Sequence, residues 1–251
     1  MLHGRGILSI LVPLAVLYGG PLTLCFAQGE AAPRWTDSTT TKVVPERKRE
    51  FEAHLRELIA AHKRAGTSWF QTFETFAGDT TEYTTLMPVM MFGDLDGPSP
   101  VAKAFGERGW ELLSRKFARC YTARNSQYVT PHRELEIHDA SEAAPVYWVQ
   151  TRSLVAQGRL GAYLGWLRDD YCPVLKKAGV ARFRVLQPVF GAPSGEIITM
   201  RSLKNLAEID SGPVLNRVLS DEQAREITSK ASALLNSSNT TLIRWRGDLS
   251  Y

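Results

Sequence analysis

The sequence predicts an α+β protein in which one β-α-β-β-α-β module occurs twice in tandem. Three observations predict it. The phrase Lys63-Arg64-Ala65-Gly66 returns as Lys176-Lys177-Ala178-Gly179, and the displacement, 176 − 63 = 113, also carries Trp35 onto Trp148 and Phe70 onto Phe183. Each copy of the phrase ends a stretch whose apolar residues recur at three- and four-residue steps, the period of a helix with one buried face. Each is followed by β-branched and aromatic runs separated by turn residues, the pattern of paired strands.

The chain opens on a segment of a different kind. Arg5 near the start, an apolar run from Ile7 to Ala15 and beyond, and Cys25-Phe26-Ala27 before Gln28 have the form of an export signal, residues 1–27. The expected location is therefore periplasmic or extracellular. An uncleaved membrane anchor is the alternative, although Pro13, Gly19, Gly20 and Pro21 interrupt the apolar run. No later stretch is apolar for long enough to cross a bilayer. Of 251 residues, 44% are hydrophobic and 22% charged, a globular balance, and the net charge of +4 becomes +3 once Arg5 is removed with the signal. So small a charge, evenly spread, does not point to nucleic acid.

The first module is expected over residues 28–138. A strand near Trp35–Val44 leads into a helix opened by Pro45, carrying Phe51, Leu55, Leu58 and Ile59 on one face and closed by Gly66. Trp69–Phe76 and Tyr83–Phe92 read as hairpin strands around Gly78-Asp79, Val101–Tyr121 as a second helix, and Tyr128–Ile137 as the closing strand. Residues 139–145 form the linker.

The second module, residues 146–251, repeats the order. Val146–Val155 is a strand, and Leu160, Tyr163, Leu164, Leu167, Tyr171, Val174 and Leu175 form a helix stripe that Pro173 should kink and Gly179 should cap. Ala181–Phe190 and Glu196–Leu203 form a hairpin around Ala192-Pro193-Ser194-Gly195. Ser220 with Gln223 three positions on has the form of a capping box, and Thr240–Arg246 is the last strand.

The β-α-β-β-α-β order is ferredoxin-like, with both helices on one face of a four-stranded sheet. The bare face needs a cover, and a second copy on the same chain supplies it. The helix Tyr171-Cys172-Pro173-Val174-Leu175-Lys176-Lys177-Ala178-Gly179 and the strand Phe183-Arg184-Val185-Leu186-Gln187 resemble the dimeric α/β-barrel superfamily, most closely its NIPSNAP-like proteins. The resemblance implies a pseudo-dimeric α/β barrel, and the duplication, by which one chain does the work of a homodimer, predicts a monomer. It implies no particular activity, because the superfamily includes monooxygenases, isomerases and proteins of other roles.

Candidate binding residues follow from alternation along the strands. Placing Tyr147, Val149 and Val155 under the helices turns Trp148, Gln150, Arg152 and Leu154 inward, and the next strand likewise offers Arg182, Arg184 and Leu186. Trp148, Gln150, Arg152 and Arg184 would together suit a small anionic or aromatic molecule, because guanidinium binds carboxylates through two hydrogen bonds and stacks on rings. The competing account is that strand arginines form structural ion pairs with residues such as Glu196 and Asp248. His132, Glu134, Glu136 and His138 would share one face of a strand, but successive same-face residues stand about 7 Å apart. No metal site is assigned to them, and a charged edge strand explains them. His54 and His62 read as packing or surface histidines. Cys120 and Cys172, on helices of different modules, are either bridged or two buried thiols.

No phosphate loop, dinucleotide fingerprint, HExxH, CxxC or Gly-x-Ser-x-Gly elbow is present, and no cofactor is expected. The leading expectation is an exported small-molecule-binding protein. A cofactor-independent monooxygenase-like enzyme and a protein-interaction module are the alternatives.

Overall fold

A computed structural model describes residues 33–251. The expected export signal, residues 1–27, lies outside them. The first half contains β1 (Trp35–Val43), α1 (Lys48–Arg64), β2 (Gln71–Ala77), β3 (Glu82–Val89), α2 (Pro100–Ala118) and β4 (Tyr121–Pro131). A two-residue strand β5 (Ile137–His138) follows. The second half contains β6 (Tyr147–Val155), α3 (Leu160–Trp166), α4 (Cys172–Lys177), β7 (Arg182–Phe190), β8 (Glu196–Leu203), the one-turn α5 (Ala207–Asp210), α6 (Asp221–Ser232) and β9 (Leu235–Trp245).

Local chemistry sets several boundaries. A proline-led turn, Pro45–Arg47, opens α1, and the chain leaves the helix at Gly66, whose φ of 82° suits glycine. The capping box of α6 is present, with Gln223 N–H donating to Ser220 Oγ and Ser220 N–H donating to Gln223 Oε1. Pro173 does not simply kink its helix. Between α3 and α4 the turn widens over Leu167–Tyr171, and Cys172 N–H donates to Leu167 O five residues back. One extra residue is thus absorbed before the proline. Helix α2 is interrupted at Gly106, where φ is 71°.

All strand pairings are antiparallel. The order β4-β1-β3-β2-β9-β6-β8-β7 closes through β4–β7, giving an eight-stranded barrel with the helices outside. The halves meet at two seams. At one, β2 lies on β9 with Glu74 opposite Arg244, and at the other β4 lies on β7 with Val129 opposite Pro188.

Alternation divides the core accordingly. Phe73, Leu86, Val129, Trp148, Met200 and Ile243 pack inside the barrel. Outside it, Phe51, Leu55, Phe70 and Tyr83 pack under α1, while Tyr163, Leu167, Leu175, Phe183 and Val185 pack under α3 and α4.

Several sequence expectations need correction. Trp35 is not the counterpart of Trp148: it faces outward against Phe92, whereas Trp148 faces inward. The widened turn is the reason. Ahead of it the halves correspond at 163 − 51 = 112, matching buried Tyr163 to buried Phe51, and only after it at 113. The closing strand of the first half is Tyr121–Pro131 and not Tyr128–Ile137, because pairing with β1 recruits the polar run Thr122–Gln127. The last strand likewise begins at Leu235, recruited by β6. Of the two alternatives left open for Cys120 and Cys172, the structure has the two free, buried thiols.

Candidate functional site

The inner face gathers three of the four expected residues into two polar clusters. Arg184, on β7, sends its guanidinium to 5.6 Å from the centroid of the Trp148 ring on β6. Its Nη1 donates to Gln71 Oε1 at 2.9 Å. Gln71 belongs to β2, on the opposite side of the barrel, so this bond spans the interior. Trp148 is fixed in turn by its indole N–H, which donates to Pro145 O at 3.2 Å.

Arg152 behaves differently. Its Nε donates to Glu196 Oε1 at 2.7 Å and its Nη2 to Gln127 Oε1 at 2.9 Å, tying β6 to β8 and across to β4. That is the structural ion pair the sequence offered as the competing account. Gln150 lies in register between Met200 and Thr241, on the inward side of β6.

Burial shapes the electrostatics around Arg184. Desolvation holds the Arg184 guanidinium below its ordinary pKa, although the residue keeps part of its surface open. Burial pushes the nearby Glu136 carboxyl up, against the pull of Arg184, and lowers His138, which also feels Arg182 and Arg184. Arg182 is lowered by burial as well. This end of the barrel is therefore electropositive and partly dry, which favours an anion.

Arg201 and Arg244, and Arg246 just past β9, lie on the other face of the sheet, and Arg217 lies on the turn Leu215–Arg217 beside it. Arg201 and Arg217 approach Glu208, while Arg244 and Arg246 bind Glu74, with Arg246 also on Glu52 and Asp248. They serve the packing of helices and chain end on the sheet.

The His132–His138 stretch is not one strand. A turn at Arg133–Leu135 breaks the alternation; His132 Nδ1 lies 2.9 Å from Glu134 Oε1 and its Nε2 2.8 Å from Gln187 Oε1. The stretch caps β7 at the mouth of the barrel, through His132 N–H to Val185 O and the pairing of β5 with β7. Gln71 and Gln127, the partners of Arg184 and Arg152, were not among the expected residues. The inward alternation of Gln71 was readable along its own strand; Gln127 lay in a polar run that reads as loop, and which arginine each meets across a barrel was not readable.

A closed antiparallel barrel made from one chain, with paired helices outside each half, decides the fold. It is an α/β barrel, with eight antiparallel strands inside and the helices outside. No protein-family model matches the chain, and no curated protein matches it in sequence. Among solved structures it is similar to a protein assigned as a monooxygenase from Fusobacterium nucleatum, at 6% identity and TM-score 0.60 over 86% of this chain and 94% of the other. It is similar also to an anthrone oxidase-like protein, at 12% identity and TM-score 0.59 over 84% and 91%. A NIPSNAP family protein from Agrobacterium tumefaciens overlaps 39% of this chain and 90% of its own, at 14% identity and TM-score 0.32. For the Fusobacterium and anthrone oxidase-like proteins, at these identities, the likeness is one of fold alone.

Proposed function

We propose that this protein binds a small anionic, partly aromatic molecule at the inner face of the barrel, with Arg184 as the anion receptor and Trp148 as the ring it lies against. One observation carries the reading. Among the described residues Arg184 has no carboxylate within salt-bridge distance, whereas Arg152, Arg244 and Arg246 each have one. A desolvated cation held by one neutral amide and an aromatic face is incompletely compensated, and a carboxylate would complete it through two parallel hydrogen bonds.

Benzoate is a suitable probe. Titrated into the protein and followed by calorimetry, it should bind at least tenfold more weakly to Arg184→Gln, since a hydrogen bond to a charged group is worth about 1.5–3 kcal/mol. Arg115→Gln, on the exposed face of α2, should bind as the parent does. Equal affinity in the parent and Arg184→Gln would remove the proposal.

A second reading has equal support: a cofactor-independent monooxygenase-like enzyme using the same inner face. Two structures of similar fold carry oxidase-type names, and the positive, partly dry inner face at Arg184 would stabilise the anion of a phenolic substrate. Consumption of oxygen with an anthrone or phenol, without flavin and with chelator present, would separate catalysis from binding alone. The same proposal takes residues 28–138 and 146–251 as tandem ferredoxin-like modules, exported after removal of residues 1–27. The recurrence of strand order, β4-β1-β3-β2 in one half and β9-β6-β8-β7 in the other, supports the modules, and the sequence of residues 1–27 supports export. Kinship with NIPSNAP-like proteins rests on the 171–187 phrase. One chain then supplies both halves of a barrel, and light scattering should return the mass of a monomer.

A further inference from the structure

Outside the barrel, three chemically distinct donors meet where α1 faces the start of β4. Glu50 and His54 are four residues apart on α1 and so share a face. His54 Nε2 lies 3.6 Å from Glu50 Oε1, and donor atoms of Glu50, His54 and Cys120 all lie within 4.8 Å of one another. Cys120 is held in place by its backbone, with its N–H on Phe117 O and its carbonyl accepting from Val44 N–H.

His54 supplies a second, independent observation. The residue is 9% exposed, yet neither ring nitrogen has a hydrogen-bond partner among the described residues. A buried imidazole with two idle nitrogens is an uncompensated polar group, costing about 1–3 kcal/mol. On its Nδ1 side, Glu57 Oε1 stands 3.9 Å away, and Nε2 is the nitrogen that faces Glu50.

The second half shows that the fold does not require this set. Cys120 and Leu234 occupy the same hydrogen-bonded place: Val44 N–H and Ala156 N–H bond to their carbonyls, and their own N–H groups bond to Phe117 O and Ala231 O. At the displacement of 112, Glu50 and His54 correspond to Ala162 and Trp166. There Trp166 and Leu234 pack into the core. Hydrophobic packing fills in one half the space that donors occupy in the other.

We propose that Glu50, His54 and Cys120 bind a zinc ion. Thiolate, imidazole and carboxylate together are a zinc donor set, and three protein ligands leave a fourth position for water. Tetrahedral zinc sets its donors about 3.5 Å apart. The histidine–glutamate pair already meets this distance, and with Cys120 within 4.8 Å of both, small side-chain rotations of Cys120 and Glu50 would bring all three donors to it. Because Glu50 is 45% exposed, the ion has a path from solvent.

Cobalt(II) tests the site on the full chain, since a cobalt–thiolate bond gives a near-ultraviolet charge-transfer band. The expected result is one equivalent of cobalt with that band, displaced by zinc. The band should vanish in Cys120→Ser and survive in Cys172→Ser. His54→Ala and Glu50→Gln should each weaken zinc by more than tenfold, because loss even of outer-shell partners costs about 10–100-fold. Far-ultraviolet circular dichroism confirms that each variant is folded; should Cys120→Ser unfold, Glu50→Gln on the exposed side carries the test. No band, a band retained in Cys120→Ser, or zinc affinity unchanged in Glu50→Gln would overturn the proposal.

Discussion

Replacing Glu74 with glutamine should lower the thermal midpoint at pH 7 by roughly 6–12 °C. Glu74 lies on β2 opposite Arg244 of β9, at one of the two seams. Lys48, from α1, donates to its Oε1; Arg244 at 2.7 Å and Arg246 at 3.2 Å donate to its Oε2. Arg246 reaches on to Glu52, which also accepts from the Tyr83 hydroxyl. One buried carboxylate thus joins a strand of each half and the first helix. Removing one partner of a buried ion pair costs about 3–5 kcal/mol, and the partial exposure of Lys48 and Arg244 places Glu74 near the lower figure. In a chain of this size each kcal/mol moves the midpoint by roughly 2–4 °C. A fall under about 2 °C would mean that the network contributes little.

The acid limb has a defined sign. Burial opposes ionisation of Glu74, but its hydrogen bonds from Lys48 and Arg244 prevail and hold its pKa at about 2, below the ordinary 4.5. Its folded pKa is depressed, so its contribution is fully present above pH 4.5 and is lost as pH falls toward 2. The difference in midpoint between parent and Glu74→Gln should therefore shrink steadily across that window. A difference that stays constant from pH 7 to pH 2 would assign the loss to packing.

Those contacts also show what the sequence could and could not disclose. Repetition, periodicity and turn residues located most elements because these signals are local: the Ser220 capping box and the glycine closing α1 are written within a few residues. Alternation placed Trp148, Arg152 and Arg184 on the inner face for the same reason. What failed were features decided by partners distant in the chain. Thr122–Gln127 is polar and reads as loop until β1 lies beside it. The ungapped repeat hid one inserted residue, because the widened turn before Pro173 lets the helix continue past it. Glu74 gave no signal, since a single carboxylate in a strand says nothing of the three cations that converge on it. The pair Glu50 and His54 was legible as a helical face, but Cys120, 66 residues beyond His54 (120 − 54), joins them only through packing.

The second seam makes a prediction of a different kind, because there backbone meets backbone. Gly191 follows β7 with φ at 83°, and a Cβ built on it would stand 2.3 Å from Ser126 O and 3.1 Å from Gln127 Cα, both in β4. Neither atom is the end of a flexible side chain, so alanine here must push β4 away from β7. Gly158 is the internal control: its φ is 75°, but nothing lies within 4 Å of the same Cβ. Gly158→Ala should cost about 1–2 kcal/mol, the penalty for a left-handed backbone. Gly191→Ala should cost a further 1–3 kcal/mol or so, for overpacking against atoms that cannot move alone. Chemical denaturation of both variants measures the difference, and equal losses would show that the seam yields. Displacing Gln127 would also withdraw the acceptor of Arg152 Nη2 inside the barrel. Gly191→Ala should therefore disturb the inner face as well as stability, whereas Gly158→Ala should leave the ligand affinity of the folded protein unchanged, because closure of the seam is what holds Gln127 opposite Arg152.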